Sequence, residues 1–323
     1  MKPVVAITVG DYNGIGPEVA LKAALNKSVR ALCNPILVGP WSVFRYYLRR
    51  LKRQPSGLKL LEPPGKNRVT VSPGKLSASA GRAAADALVQ SVRLAQQGLV
   101  AAIVTAPVSK KALHLAGVEF SGQTELLQHL THSPRVAMML VSDNMRVGLV
   151  TIHVPLADVA GALTRTLVRE KIMTIHGALV TDWNLKRPRL AVLALNPHAG
   201  EGKDIGSEEH TIIKPVVKQL RGQRINVRGP FPADSFFGIY TRGDYDAIVA
   251  MYHDQGLIPL KMSSFGKAAN VTVGLPIVRT SPDHGTAFDI AGKGIADPSS
   301  MIEAVKLSVL LARNRKRWSR VAR

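Results

Sequence analysis

The sequence is poor in cysteine, in aromatic residues and in long apolar runs. Its single cysteine, Cys33, cannot form an internal disulfide, so we expect a reducing, cytoplasmic location. No apolar run approaches the ~18 residues that a helix needs to cross a bilayer, and the first residues lack the pattern of a secretory signal. Aromatic residues make up only 5% of the chain, which is few for a protein that stacks on nucleotide bases.

Acidic residues are scarce as well. The chain has 22 Asp and Glu against 43 Lys and Arg, a formal charge of +21. Nine basic residues lie between Arg45 and Lys75 with only Glu62 to oppose them, and six lie between Arg313 and Arg323 with no acid. Such clusters are typical of nucleic-acid-binding proteins, of solvated surfaces, and of enzymes that attract anions. Nucleic-acid binding is therefore kept as an alternative that predicts salt-sensitive binding to DNA or RNA.

Short β-branched runs alternate with longer amphipathic stretches, and this order predicts an α/β fold with largely parallel sheets. The Pro- and Gly-rich stretch Pro55–Pro73 is interpreted as an exposed excursion, and the pattern restarts near Gly122, where we place a domain boundary. The expected strands are Val4–Val9, Ile36–Val38, Val100–Thr105, Val136–Val141, Val147–His153, Leu190–Leu195, Ala247–Tyr252 and Asn270–Val273. The expected helices are Pro17–Leu25, Ala78–Gln97, Thr124–Leu130, Thr166–Trp183, Glu208–Gln219 and Ser299–Leu311.

Three histidines share one local context, because each follows a predicted strand where the chain turns out of the sheet. They are His153, His198 and His253, each close to a proline or a glycine. In open α/β sheets, ligands bind at the carboxyl ends of the strands, so three imidazoles there could hold one divalent metal ion. Hydrogen-bonded structural histidines are the alternative, because the separations match no local metal motif.

Two glycine-rich segments have the composition of ligand-binding loops. Gly10–Glu18 joins a predicted strand to a predicted helix and could present N–H groups to an anion. Its spacing is neither the dinucleotide fingerprint nor a Walker loop, so a tight structural turn is the alternative. Arg279–Gly294 combines small residues with two carboxylates, one histidine and two cations, which is typical of a loop that approaches a ligand.

These segments resemble the 4-hydroxythreonine-4-phosphate dehydrogenases of pyridoxal phosphate biosynthesis over almost the whole chain. The segment from Arg279 to Gly294 is also similar to the nucleotide loop of isocitrate and isopropylmalate dehydrogenases, whose metal ligands are carboxylates. The residues that carry the resemblance are Gly10-Asp11, Gly14-Ile15-Gly16-Pro17-Glu18, Thr105-Ala106-Pro107-Val108-Ser109-Lys110, Asn196-Pro197-His198-Ala199-Gly200-Glu201-Gly202, Pro232-Ala233-Asp234, Tyr252-His253-Asp254-Gln255-Gly256 and Arg279 to Gly294.

The resemblance implies two α/β/α domains of the isocitrate/isopropylmalate dehydrogenase-like fold, one of residues 1–122 and 285–323 and one of residues 123–284. The second domain would carry the metal ligands and the interface of a homodimer, at which the site lies. The implied cofactors are NAD or NADP and one divalent metal ion (zinc, cobalt or magnesium). The implied roles are metal binding for His153, His198 and His253, substrate binding for Gln123, Thr124, Lys261, Asn270 and Arg279, and contact with the adenosine ribose for Asp289.

The implied reaction is the metal-assisted oxidation of the hydroxyl of 4-phosphooxy-L-threonine by the nicotinamide. The β-keto acid so formed loses carbon dioxide to give 3-amino-2-oxopropyl phosphate. Asp234 is the candidate for proton transfer, and its alternative role is that of a helix cap. The family's Gly-His-Thr-Glu is here Gly122-Gln123-Thr124-Glu125, and Tyr12-Asn13 replaces a common Pro-Ala. Unlike histidine, glutamine cannot take up a proton near neutral pH. The alternative is therefore a paralogous dehydrogenase that oxidises a tetronate phosphate or a dihydrodiol carboxylate.

Overall fold

The computed structural model describes residues 2–64, 69–120, 122–264 and 266–321. Contacts within the chain divide it into two compact units. The first comprises Met1–Pro134 and Leu275–Arg313, and the second comprises Arg135–Gly274 and Asn314–Arg323. Strands and helices alternate in both units, which confirms the predicted α/β class. Of the basic residues singled out above, Lys66, Arg68 and Arg323 lie outside the described residues.

Strands and helices have the following bounds. The strands are β1 (Val4–Thr8), β2 (Asn34–Val38), β3 (Lys59–Leu61), β4 (Ala102–Val104), β5 (Ala137–Val141), β6 (Arg146–Leu149), β7 (Leu190–Leu193), β8 (Val227–Phe231), β9 (Ala247–Ala250), β10 (Ala269–Val273) and β11 (Arg279–Pro282). The α-helices are α1 (Gly16–Leu25), α2 (Lys27–Leu32), α3 (Trp41–Arg50), α4 (Ala78–Gln96), α5 (Lys110–Leu115), α6 (Gln123–Thr131), α7 (Leu156–Ala162), α8 (Arg165–Thr181), α9 (Lys214–Gly222), α10 (Ala233–Ile239), α11 (His253–Ser264) and α12 (Ser299–Val321).

The first unit has the strand order β3-β2-β1-β4-β11, and neighbouring strands are parallel. The second unit has the order β10-β5-β6-β9-β7-β8. Its β10–β5 and β5–β6 pairs are antiparallel, whereas the pairs from β6 to β8 are parallel. The carboxyl ends of β6, β9 and β7 therefore lie at one edge of the second unit's strands.

Most residues of β1, β4, β7 and β9 are apolar, and residues such as Val5, Ile7 and Val249 are completely buried. Continuous apolar runs are expected where helices cover both faces of a parallel sheet, and each buried aliphatic side chain stabilises the fold by about 1.5–3 kcal/mol.

Two glycines allow helices of the second unit to approach β6 closely. A Cβ atom at Gly148 would lie 2.3 Å from Cδ1 of Ile175 in α8. A Cβ atom at Gly256 in α11 would lie 2.4 Å from Cγ1 of Val147 in β6. The close approach at Gly256 seats α11, whose first residue is His253, against β6.

Each strand predicted from a β-branched run is present, with ends that shift by a few residues. Three strands were not predicted. The described residues of Pro55–Pro73 are exposed or half-buried, as expected of an exposed excursion. The segment also contains β3, which pairs in parallel with β2 and was not predicted. Strand β8 contains the cis Gly229–Pro230 bond, and β11 has the sequence Arg-Thr-Ser-Pro, which carries no apolar signal.

Candidate functional site

The three predicted metal ligands of the second unit follow three neighbouring strands. His153 lies four residues after the end of β6, His198 five residues after β7, and His253 three residues after β9. The order β6-β9-β7 places the ends of these parallel strands side by side. The position of the histidines at strand ends, which the sequence predicted, is confirmed.

Hydrogen bonds fasten these strand ends to one another. The Thr151 hydroxyl donates a 2.7 Å bond to the Met251 carbonyl, which joins the segment after β6 to the segment after β9. The buried Gln255 side chain accepts from the Met251 N–H at 2.7 Å and donates to the Ala194 carbonyl at 2.5 Å. Gln255 thus connects the segment that carries His253 to the segment that leads to His198.

The rings of His153 and His253 lie 6.3 Å apart, centre to centre, with their planes tilted by 37°. An imidazole nitrogen lies about 2.1 Å from a bound zinc ion, so this separation leaves room for one ion between the rings. His253 Nδ1 and Asp254 Oδ1 are 2.6 Å apart. Because the carboxylate accepts this bond, Nδ1 donates and Nε2 keeps its lone pair for a metal ion, an arrangement that is common around metal-binding histidines.

His198 lies in a turn whose backbone is unusual for residues other than glycine. His198 and Ala199 both have φ of 53°, and Glu201 has φ of 35°. The buried Glu209 holds this turn, because its Oε1 accepts the N–H groups of Leu195 and Asn196 at 2.7 and 2.8 Å. Strained conformations of this kind persist where the surroundings enforce them, and they cluster at functional sites.

The described residues of a single chain do not complete a metal site. Among residues 2–64, 69–120, 122–264 and 266–321, no three His, Cys, Asp or Glu side chains converge closely enough to hold an ion. The structure brings His153 and His253 together, while His198 does not complete a three-ligand group with them.

Three further predicted site residues lie in the second unit. Lys261 is exposed on α11. On β10, Asn270 has a buried Oδ1 atom without a hydrogen-bond donor, so an acceptor is left for another molecule to satisfy. Asp234 lies in the first turn of α10 and is exposed, and the helix cap position belongs to Pro232. The structure therefore does not use Asp234 as a helix cap.

A cavity of about 500 Å³ lies elsewhere in the second unit, between β8 and α10. Its walls include Arg228, Phe231, Tyr240 and Tyr245, and none of the predicted metal or substrate residues lines it. The candidate site is therefore assigned by the chemistry at the strand ends and not by this cavity.

In the first unit, Arg279 is brought together with Gln123. Arg279 is only 3% exposed. Its Nε and Nη2 atoms donate to Thr105 Oγ1 at 3.1 and 2.7 Å, and Nη2 also donates to Gln123 Oε1 at 3.2 Å. Burial lowers the pKa of Arg279 to about 10, opposed by the charge of Glu125. These bonds hold a buried guanidinium in place, and guanidinium groups are well suited to bind carboxylates and phosphates.

The two glycine-rich segments of the first unit pack against each other. The Ile15 N–H donates to the Thr286 carbonyl at 2.9 Å, and a Cβ at Gly14 would lie 2.7 Å from the same oxygen. In this loop, His284 has a buried Nε2 atom without a partner, while Asp289 is exposed. Thr124, next to Gln123 in α6, is half-buried.

Asp11 is a buried carboxylate in the turn between β1 and α1. Its Oδ1 accepts the Asn13 N–H at 3.0 Å, whereas Oδ2 is buried without a partner. Burial raises the pKa of Asp11 from 3.8 to about 6, although the N–H groups of Asn13 and Gly14 lower it. The turn thus contains a group that changes charge below neutral pH.

Thr105, Thr151 and Gln255 shape these arrangements, and sequence reasoning assigned a role to none of them. Thr105 and Gln255 stand inside the strings that carry the family resemblance, which was the only signal available for them.

In the described part of the chain, no helix is long and apolar enough to cross a membrane.

Comparison with known proteins gives consistent results. The sequence model of the family described as pyridoxal phosphate biosynthetic protein PdxA matches residues 25–308. The chain is 42% identical to a 4-hydroxythreonine-4-phosphate dehydrogenase from Desulforapulum autotrophicum, with 96% of each chain covered. It is 43% identical to a D-threonate 4-phosphate dehydrogenase from Cupriavidus necator, with 97% of this chain and 98% of the relative covered.

Solved structures show the same likeness. The crystal structure of a 4-hydroxythreonine-4-phosphate dehydrogenase from Klebsiella pneumoniae matches with a TM-score of 0.87 at 37% identity, covering 97% of this chain and 98% of the other. An isocitrate dehydrogenase from Methylococcus capsulatus matches with a TM-score of 0.52 at 14% identity, covering 100% of this chain and 89% of the other. This second likeness shows the fold alone and confirms the predicted isocitrate dehydrogenase-like architecture.

Proposed function

Because the chain belongs to the PdxA family of pyridoxal phosphate biosynthetic proteins, we propose that it oxidises the hydroxyl group of 4-phosphooxy-L-threonine. The electron acceptor is NAD or NADP, and the reaction uses one divalent metal ion. The resulting β-keto acid loses carbon dioxide and becomes 3-amino-2-oxopropyl phosphate. The observation that carries this proposal is the paired imidazoles of His153 and His253 at neighbouring strand ends.

The proposed metal ligands are His153, His198 and His253. The fit rests on the donor set, since imidazoles suit zinc or cobalt, and on the Asp254 carboxylate that leaves His253 Nε2 as an acceptor. A bound ion would supply Lewis-acid polarisation of the substrate hydroxyl.

We infer that a second copy of the chain completes the ligand set. Within one chain, the described residues do not bring three ligands together. Helix α11, which begins at His253, exposes two apolar side chains four residues apart, Ile258 at 56% and Met262 at 72%. An exposed apolar stripe beside an incomplete site is the expected property of a symmetric dimer interface.

Positively charged and amide groups would bind the anionic substrate. In the first unit, Arg279 offers a buried guanidinium held by Thr105 and Gln123, and Thr124 is adjacent to Gln123. In the second unit, Asn270 Oδ1 lacks a donor and would accept a bond from a substrate hydroxyl or ammonium group. Lys261 of the same unit would attract a phosphate or a carboxylate.

The loop that follows β11 would hold the nicotinamide cofactor. His284 has a buried ring nitrogen without a partner, and a bound nucleotide could satisfy it. Asp289 is exposed and carries the charge that favours an unphosphorylated ribose. The proposal is therefore NAD in preference to NADP.

The exposed Asp234 carboxylate is the proposed proton acceptor. During oxidation the hydroxyl proton passes to Asp234, and the hydride on the same carbon passes to the nicotinamide. In the decarboxylation, the carbon that loses carbon dioxide takes up a proton, which Asp234 can return.

A second candidate substrate is D-threonate 4-phosphate, named in a relative that matches almost the whole chain. Gln123 favours this alternative, because the family pattern places a histidine at that position. The two substrates differ at one carbon, where the first carries an amino group and the second a hydroxyl.

A substrate panel tests the proposal. We would assay 4-phosphooxy-L-threonine, D-threonate 4-phosphate, other tetronate phosphates and a dihydrodiol carboxylate for the formation of reduced nicotinamide, with and without added divalent ion. We expect metal-dependent turnover of 4-phosphooxy-L-threonine that is abolished by His198→Ala. His129→Ala, in α6 of the first unit, is the matched control and should behave as the wild type.

Turnover of D-threonate 4-phosphate alone would replace the first proposal by the second. Full activity of the His198→Ala variant would contradict the assigned ligand set.

A further inference from the structure

Gln123 is the first residue of α6, and both ends of its side-chain amide are engaged by the protein. Oε1 accepts a hydrogen bond from Arg279 Nη2 at 3.2 Å, and Nε2 donates to the Ala106 carbonyl at 3.3 Å. The side chain therefore joins the buried guanidinium to the segment that follows β4. Its oxygen is directed to Arg279, and its nitrogen is directed to the backbone.

Only one orientation of the amide fits this environment. Turning it over would place an NH₂ group against a guanidinium N–H and an oxygen against a carbonyl oxygen, which are two repulsive contacts. The Ala106 carbonyl thus fixes the direction in which Oε1 points. Ala106 is itself held, because its N–H donates to the buried Thr8 hydroxyl at 3.1 Å.

Thr105 and Gln123 both hold the Arg279 guanidinium, which also lies within the electrostatic influence of the titratable Glu125 of α6. Thr105 Oγ1 accepts from both Nε and Nη2, and Gln123 accepts from Nη2. We propose that Gln123 is a positioning residue that holds the Arg279 guanidinium against Thr105 through an uncharged contact, so that this anion site keeps its strength as the pH falls. The inference rests on the proposed function, in which Arg279 binds a carboxylate or phosphate group of the substrate.

The chemistry of residue 123 decides this pH dependence. A neutral imidazole at this position could accept from Arg279, but an imidazolium could not and would repel the guanidinium. Glutamine accepts at every pH at which the protein is folded. The difference between glutamine and histidine therefore determines over which pH range an anionic substrate binds well.

The experiment compares four proteins: the wild type, Gln123→Ala, Gln123→His and Gln128→Ala. Gln128 lies five residues along the same helix, about 140° around its axis, and serves as the matched control. KM and kcat would be measured with 4-phosphooxy-L-threonine and with D-threonate 4-phosphate at about pH 6 and about pH 8.5. Binding of inorganic phosphate would be measured by calorimetry at the same pH values, which requires no turnover.

For Gln123→Ala we expect KM and the phosphate Kd to rise roughly tenfold at both pH values, with kcat changed less than about threefold. For Gln123→His we expect the ratio of KM to that of the wild type to be near one at the higher pH and to rise roughly tenfold at the lower pH. Dividing the KM of each variant by that of the wild type at the same pH cancels the effect of substrate phosphate ionisation, because all four proteins bind the same substrate.

The inference is overturned if Gln123→Ala binds phosphate as the wild type does, or if the pH profiles of Gln123→His and the wild type superimpose. Failure of the proposed function would look different: the wild type would turn over neither substrate, while the phosphate titrations would still report on Gln123. If Gln123 had only a structural role, Gln123→His would lower the thermal stability equally at both pH values, and KM would not return to the wild-type value at the higher pH. That result would also overturn the inference.

Discussion

The imidazole of His253 and the carboxylate of Asp254 are joined by a 2.6 Å hydrogen bond at the start of α11. The bond selects the ring tautomer with a proton on Nδ1, and this leaves Nε2 as an acceptor. Asp254 is largely exposed, so the bond acts on the orientation and tautomer of the ring and adds little to the stability of the fold.

Removing this carboxylate should weaken metal binding. We expect Asp254→Ala to lower the affinity for zinc or cobalt about 10- to 100-fold, and Asp254→Asn to have an intermediate effect because its amide oxygen still accepts. Competition against a chromogenic chelator measures both. Asp143→Asn, at an exposed position in the same unit, is the control, and equal affinities for all variants would show that Asp254 does not act on a metal ligand.

Gln255 should matter for both stability and the site. Gln255→Ala leaves the buried Met251 N–H and Ala194 carbonyl without their partner, which we expect to lower the free energy of unfolding by about 2–3 kcal/mol. Urea unfolding measures this loss, and the exposed Gln219→Ala provides the baseline. Metal affinity should fall as well, because the segments that lead to His198 and His253 are no longer joined. An unchanged urea midpoint together with an unchanged metal affinity would contradict this role of Gln255.

The contact between Gly256 and Val147 predicts a coupled pair of substitutions. Gly256→Ala would place a methyl group 2.4 Å from Val147 Cγ1 and 3.0 Å from Ala250 Cβ, and we expect it to cost about 1–3 kcal/mol. Val147→Ala creates space at the same point, so the double variant should be more stable than the sum of the single effects predicts. Chemical denaturation of the wild type, the two single variants and the double variant measures this coupling. Additive effects would show that Gly256 and Val147 are not in close contact.

Asp11 should make stability depend on pH between about 4 and 6. Burial raises the pKa of Asp11 in the folded protein to about 6 from 3.8, so the folded state binds the proton more tightly than the unfolded state. The stabilisation is therefore complete below pH 3.8 and is lost as the pH rises to about 6. Asp11→Asn should be more stable than the wild type at pH 7 by about 2–3 kcal/mol and of similar stability at pH 4.

Unfolding in urea at both pH values tests this prediction. Asp143→Asn again serves as the reference for a change of charge alone. A stability difference that is the same at pH 4 and pH 7 would mean that Asp11 does not titrate in this range.

A buried ion pair in the second unit supports the fifth prediction. Arg315 in α12 donates to both carboxylate oxygens of Asp182 at 2.8 and 2.6 Å, and the Asp182 side chain is only 3% exposed. Arg315→Ala leaves this buried carboxylate without its cation and with only the Thr181 hydroxyl as a side-chain donor, so we expect a loss of about 3 kcal/mol in unfolding free energy. Exposed Arg317→Ala should change stability by less than about 0.5 kcal/mol; equal effects of the two variants would contradict the prediction.

The sequence predicted the buried strands well, because runs such as Val4–Val9 and Leu190–Leu195 carry a signal that tertiary context does not override. It failed for β11, whose Arg-Thr-Ser-Pro sequence is buried without being apolar. It also failed for α11, which contains Gly256 and Pro259, residues that ordinarily end helices. In α11 the glycine is required by the close approach to Val147, and this is visible only once the strands are assembled.

The candidate site was predictable to the extent that it depends on strand ends. His153, His198 and His253 could be placed there from the residues alone, and the family resemblance indicated their chemistry. The bonds from Gln255 to Ala194 and from Gln123 to Arg279 join segments 61 and 156 residues apart, and no local pattern encodes such pairings. The roles of the site residues and the domain bounds at residues 122 and 284 stay predictions.

Strand β6 has a helix against it at Gly148 and another at Gly256, each at a distance that admits no additional carbon atom. This layer should therefore tolerate smaller side chains better than larger ones. Truncating Ile175 or Val147 opens a void, whereas a side chain at either glycine must displace Ile175 of α8 or Val147 of β6. Random mutagenesis should recover truncated aliphatic side chains around β6 far more often than replacements of these two glycines. Any displacement of α11 would carry His253 with it, so such replacements should impair the chemistry before the unit unfolds.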